Sequence, residues 1–185
     1  MDIGGAVKVE YWAVQEGETG LLEPEGIAEF RAELSKNYIG QVHARPGDLG
    51  GLYAFSVEFF TTFSLHRFLD LIVDGVAYDL VKSGGDALIL RPFLAAYKAL
   101  KQRNTGRFSR IHIDRLRFSF QDSVVVIHGL NANLVLILER ILKTLAENYN
   151  HLLLRSGERP FLISIPIVED PAEDRLCRFR EFLEF

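Results

Sequence analysis

Tyr53, Phe55, Val57, Phe59 and Phe63 share one parity within residues 52–63. Successive side chains of a strand point to opposite faces, so this spacing lays an aromatic stripe along one face of an extended segment. Rings of that size fit a pleated surface best where another layer covers them. The chain therefore has to build a sheet through this segment and pack a second layer on it.

The remaining pattern supplies both. Val7, Val9 and Tyr11 alternate with Lys8, Glu10 and Trp12, so residues 6–14 read as a strand. Pro24 suits the first turn of a helix, and Ile27, Phe30 and Leu34 follow at helical spacing, which predicts a helix over 25–36. Gly40, Pro46, Gly47, Gly50 and Gly51 make 38–51 read as a loop. Ser64 can cap a helix running to about Lys82, with Leu65, Phe68, Leu69, Ile72, Val76 and Leu80 on its apolar side. Asp86 and Pro92 are alternative starts for the next helix, which ends near Arg103 and buries Leu90, Phe93, Leu94, Tyr97 and Leu100.

Residues 108–120 and 123–129 read as a hairpin closed near Gln121 and Asp122. The first arm changes parity between Ile111 and Ile113 on one side and Leu116, Phe118 and Phe120 on the other, and a bulge near Asp114 puts all five on one face. A helix over 134–148 follows, capped by Asn131 or Asn133, then a strand over 161–167 whose Pro166 belongs at an edge or outside the ladder. Leu176, Phe179, Phe182 and Leu183 mark a terminal amphipathic helix. The order β-α-β-α-α-β-β-α-β-α does not alternate as a doubly wound sheet does. It predicts an α+β fold, a mixed and mainly antiparallel sheet packed by helices, as one domain over residues 1–185. The Gly-rich loop 40–51 is the one internal boundary the sequence offers.

Composition narrows the function classes. With 185 residues, 48% apolar, the chain is long enough to bury about 70% of its extended surface without disulfides or a structural metal. Net charge is −4, so no chain-wide attraction to nucleic acid or anionic lipid is expected. Cys177 has no second cysteine to pair with, which favours a reducing, cytoplasmic setting. Met1 to Ala6 lacks the basic and apolar regions of a signal peptide. The longest apolar stretch, 65–81, carries Arg67, Asp70, Asp74 and Asp79, so no membrane span is expected. The chain contains no Walker loop, G-x-G-x-x-G, G-x-S-x-G or H-E-x-x-H, and the glycines at 47, 50 and 51 come without a lysine and before a strand. No cofactor and no bound metal are expected.

Charge is distributed unevenly. Arg91, Lys98, Lys101, Arg103, Arg107, Arg110, Arg115 and Arg117 lie in one stretch with a single acid, Asp114. Both ends are acidic, with eight acids against three bases in 1–36 and seven against four in 158–185. The bland reading is a solvated face balanced by acidic neighbours. The functional reading is a docking patch for an anion or a partner, with Arg103, Arg107, Arg110, Arg115 and Arg117 as binding residues. Phe108, Phe118 and Phe120 interleave with those arginines as stacking platforms for nucleic acid would, and equally as core residues of a hairpin would.

Four residues are candidates for catalysis. Asp79 falls between Phe68 and Ile72 on the helical wheel, where a carboxylate needs a partner or shifts its pKa. His112 and Asp114 form an H-x-D pair on one strand, and His128 lies on the opposing arm. A two-residue turn at 121–122 sets His128 opposite Arg115 rather than His112. Asp70 and Asp74, one turn apart, have the spacing of two oxygen ligands and also of any polar helix face. The expectation is a non-catalytic interaction or accessory module that docks a protein partner, or a second copy of itself, through the basic strip at 91–117. The alternatives are a small hydrolase or nuclease-like enzyme using Asp79, His112, Asp114 or His128, and a domain that binds phosphate or nucleic acid.

Overall fold

A computed structural model describes residues 6–13, 15–16, 20–47, 53–73, 91–104, 111–130, 134–156, 161–168, 178–179 and 182–184. The strands are β1 (Ala6–Ala13), β2 (Gln15–Glu16), β3 (Gly20–Leu21), β4 (Ile39–Pro46), β5 (Tyr53–Phe60), β6 (Ile111–Ser119), β7 (Val124–Leu130), β8 (Leu162–Val168), β9 (Arg178–Phe179) and β10 (Phe182–Glu184). The helices are α1 (Ile27–Asn37), α2 (Leu65–Val73), α3 (Arg91–Arg103) and α4 (Leu134–Ser156). The main sheet has the order β10-β8-β7-β6-β5-β1-β4, with β9 also paired to β8, and β2 and β3 form a separate small ribbon. The α+β class with a mixed sheet is present: β1–β4, β5–β6 and β7–β8 are parallel, and β1–β5, β6–β7, β8–β9 and β8–β10 are antiparallel.

The aromatic stripe sets the core. Tyr53, Phe55, Val57 and Phe59 are all buried, and they meet Val7, Val9 and Tyr11 on one side and Ile113, Leu116 and Phe118 on the other. Phe59 stacks on Phe118 with ring centroids 5.5 Å apart and meets Phe93 of α3 edge-on at 5.4 Å. Phe68 of α2 packs against Phe120 at 5.2 Å, and Tyr11 stacks on Phe55 at 5.3 Å. Such pairs add to the area they bury. The expected bulge exists: on the β5 side the register passes from Phe55↔Ile113 to Ser56↔Arg115, leaving Asp114 as the extra residue. Ile111, Ile113, Leu116, Phe118 and Phe120 are consequently all buried.

All four helices cover this same face. Phe30 of α1 and Phe93 and Tyr97 of α3 contact the β5 rings. Leu138, Ile141, Leu142, Leu145 and Tyr149 of α4 belong to the same core cluster, and the Tyr149 ring stacks with His66 of α2 at 6.3 Å. β1 and β7 run in the same direction, yet β4 lies outside β1 on one flank and β8 lies outside β7 on the other. With both crossover helices on one face, the β1–α1–β4 and β7–α4–β8 connections are of opposite hand, so one of them breaks the strong right-handed preference.

Two expectations fail. Residues 38–51 are not a loop throughout, because 39–46 form β4, parallel to β1 along its whole length. Gly40 and Pro46 are strand breakers in the interior of a sheet but are tolerated on an edge strand. The Gly47 amide donates to the Ala13 carbonyl, and by the alternation of a parallel ladder the nitrogen of Pro46 points away from β1. The terminal helix is also absent from the described residues of that segment: 178–179 and 182–184 are extended and pair with β8. The apolar strand β8 would otherwise offer its outer backbone groups unpaired, which short added strands remedy. β10 pairs residues 162–164 and β9 pairs 167–168, and Pro166, which has no N–H to give, has no ladder partner on that side among the described residues. The helix expected over 134–148 continues to Ser156.

Local signals hold the layers in place. Ser64 caps α2, its Oγ accepting from the Arg67 amide at 3.3 Å, while the Leu65 amide donates to Asp122 Oδ1 at 2.8 Å. Gly26 begins α1 with φ 81°, a backbone conformation that favours glycine, and the flexible Arg103 side chain lies over it.

Candidate functional site

The sheet face opposite the helices carries the polar side chains of β1, β4 and β6, together with buried Ala54 of β5 and buried Val124 and Val126 of β7. Across it, register aligns His43, Glu10, Ser56, Arg115 and His128 in one row over β4, β1, β5, β6 and β7. A neighbouring row holds Gln41, Lys8, Glu58, Arg117 and Val126. Arg45, Trp12, Ala54 and His112 make a third. None of the described helices packs on this face.

Its charges are partly matched. Arg45 and Lys8 both reach the Glu10 carboxylate, Lys8 at 3.1 Å. Burial works against a charge on Glu10, but hydrogen bonds and charge from Arg45 and Lys8 prevail and hold its carboxyl below the usual carboxylate range. Arg117 Nε lies 3.0 Å from Glu58 Oε1, and the Ser119 hydroxyl donates to the same oxygen at 2.9 Å. Arg115 differs. Its Nε donates to the neutral Ser56 hydroxyl at 3.1 Å, no carboxylate among the described residues pairs with it, and its cross-strand neighbour is His128. Arg115 is exposed, as are His43 and Arg45.

The fold divides the basic stretch in two. Lys98, Lys101 and Arg103 project from α3, in the helix layer, and Arg103 Nη1 pairs with Glu29 of α1 at 2.9 Å. Arg115 and Arg117 project from the opposite side of the sheet, with a parity opposed to that of buried Leu116 and Phe118. Arg107, Arg110 and Phe108 lie outside the described residues. Phe118 and Phe120 are buried among the core rings, which removes them as stacking platforms.

Among the catalytic candidates, Asp79 lies outside the described residues, as does Asp74. His112 pairs in register with Ala54, and Asp114 is the exposed bulge residue. His128 stands opposite Arg115, as the two-residue turn requires. Among the described residues no group of three or more His, Cys, Asp or Glu side chains is placed to hold a metal ion. Sequence reasoning placed Glu10 and Trp12 on the polar side of β1 but missed His43 and Arg45 as their neighbours, because the alternation of β4 was hidden by Gly40, Pro46 and Gly47.

A second polar cluster sits at the core edge near the start of α1. The Tyr11 hydroxyl donates to Glu23, and Arg31 lies 3.6 Å from the same carboxylate. Burial, then the bond to Glu23, pushes the Tyr11 hydroxyl far above its ordinary range, so it acts as a donor at any physiological pH.

Fold and site together define a two-layer α+β protein with a polar, partly basic sheet face turned away from its helices. No protein-family model matches the chain, and neither a curated protein nor a solved structure is similar to it. No described helix is long and apolar enough to cross a membrane.

Proposed function

We propose that this chain is a non-catalytic interaction module that docks an acidic partner protein through the sheet face bearing Arg115 and Arg117. The observation that carries the reading is Arg115, an exposed guanidinium with no carboxylate partner among the described residues, set between Ser56 and His128 and one row from Arg117. Rows of polar side chains on a rigid sheet hold their geometry better than the same residues on loops. A cation that is not neutralised within its own chain steers an oppositely charged surface and fixes its register. The lone Cys177 supports a reducing, cytoplasmic setting for this docking. Of the binding residues the sequence suggests, this reading keeps Arg115 and Arg117 and leaves out Arg103, whose guanidinium pairs with Glu29 of α1.

The test uses labelled poly-L-glutamate as a surrogate acidic surface, titrated with the wild-type chain and with Arg115→Glu/Arg117→Glu at low salt. The expected result is saturable binding that weakens as salt rises and falls at least tenfold in the double variant. Equal binding by both proteins refutes the reading.

A further inference from the structure

The outer edge of β4 is a self-complementary pairing site, and we propose that two copies of this chain join there into one continuous antiparallel sheet. This rests on the outer backbone edge of β4 and does not require that the docking face bind a partner, although His43 and Arg45 of β4 belong to that face.

At the far flank β9 and β10 occupy the outer side of β8, whereas β4, among the described residues, ends the sheet and pairs with β1 alone. The bond from the Gly47 amide to the Ala13 carbonyl fixes which groups are free. Residues of odd number in β4 turn their N–H and C=O toward β1, and Gly40, Val42 and Ala44 turn theirs outward. An eight-residue edge without a bulge or a lysine is a ready template for another strand.

The occupant follows from register. Strands pair so that opposed side chains share a face, which limits a twofold β4–β4 contact to axes passing through a residue. With the axis at Val42, each Val42 opposes its counterpart and each Gly40 opposes the other copy's Ala44. All six outward amides then find carbonyls. On the polar face Gln41 opposes His43 and Ile39 opposes Arg45, so no like charges meet. Ile39, 80% exposed in the single chain, thereby gains the aliphatic stem of an arginine. Moving the axis to His43 puts Pro46, which has no N–H, opposite Gly40 and sets two histidines face to face. Val42 and Ala44 already lie partly buried against the core, so the paired strands extend that core across the axis.

The experiment is sedimentation equilibrium of the full chain from micromolar to several hundred micromolar, alongside Val42→Pro. Proline at 42 deletes a central outward N–H that serves no bond among the described residues; Pro46 likewise lacks an outward N–H. A dimer that becomes a folded monomer in Val42→Pro supports the proposal. A wild-type monomer at every concentration overturns it, and so does a dimer that Val42→Pro leaves intact. Should Val42→Pro fail to fold, amide exchange of the wild type decides. Protection of Gly40, Val42 and Ala44 that grows with concentration supports the paired edge, and exchange independent of concentration overturns it. Polyglutamate binding by the monomeric variant separates this outcome from that of the docking face.

Discussion

Asn104 closes the last turn of α3 onto the entry to α1. Its Oδ1 accepts from the Glu25 amide at 3.0 Å, and its Nδ2 donates to the Glu25 and Leu100 carbonyls, each at 2.8 Å. Beside it Arg103 lies over Gly26 and pairs with Glu29. The pairing of Arg103 is exposed and worth little, whereas Asn104 is buried and satisfies three backbone groups at the junction of α3 and α1. Asn104→Ala is expected to destabilise the chain by about 1–3 kcal/mol, read as a lower urea midpoint with an unchanged slope. A midpoint shift no larger than that of Arg103→Ala would contradict this ranking. The difference in legibility has a physical basis. The cap by Ser64 acts within its own helix and is visible as a serine before an apolar run. Asn104 joins residues 79 apart in the chain, and no local pattern announces such a contact.

Elements became legible where side-chain periodicity was strong and misleading where backbone punctuation dominated. The aromatic alternation of β5 and the parity change of β6 led directly to the strand, its buried face and the bulge at Asp114. The glycines and proline of 39–47 concealed β4, because their meaning reverses on an edge strand, where outward backbone groups need no partner within the chain. At the other end, apolar residues at helical spacing were recruited instead as short strands against β8, a case of tertiary demand overriding local pattern. The bulge leads to a sharp prediction. Deleting Asp114 restores plain alternation against β5 and keeps Phe118 and Phe120 inward, so that variant retains a cooperative thermal transition. Deleting Arg117 turns Phe118 and Phe120 to the opposite face and abolishes the transition. Circular dichroism melts of the two deletions compare them, and equal tolerance of both would contradict the assigned register.

At the scale of the whole molecule, sequence alone supplied the layers but not their arrangement. Amphipathic helices and half-polar strands imply a sheet covered on one side, and that is how the core is built. Strand order, the opposite hands of two crossovers and the separation of the basic stretch depend on which distant strands pair, which no local periodicity encodes. Of that basic stretch, Lys98, Lys101 and Arg103 thus sit on α3, while Arg115 and Arg117 sit on the far side of the sheet. On the proposed function, only the sheet group meets an acidic surface. The direct measurement is an amide chemical-shift map of the isotope-labelled chain during titration with poly-L-glutamate. Perturbations should cluster at residues 43–45, 56–58, 115–119 and 126–128, with α3 unmoved. Shifts centred on Lys98, Lys101 and Arg103, with the sheet rows silent, would contradict it.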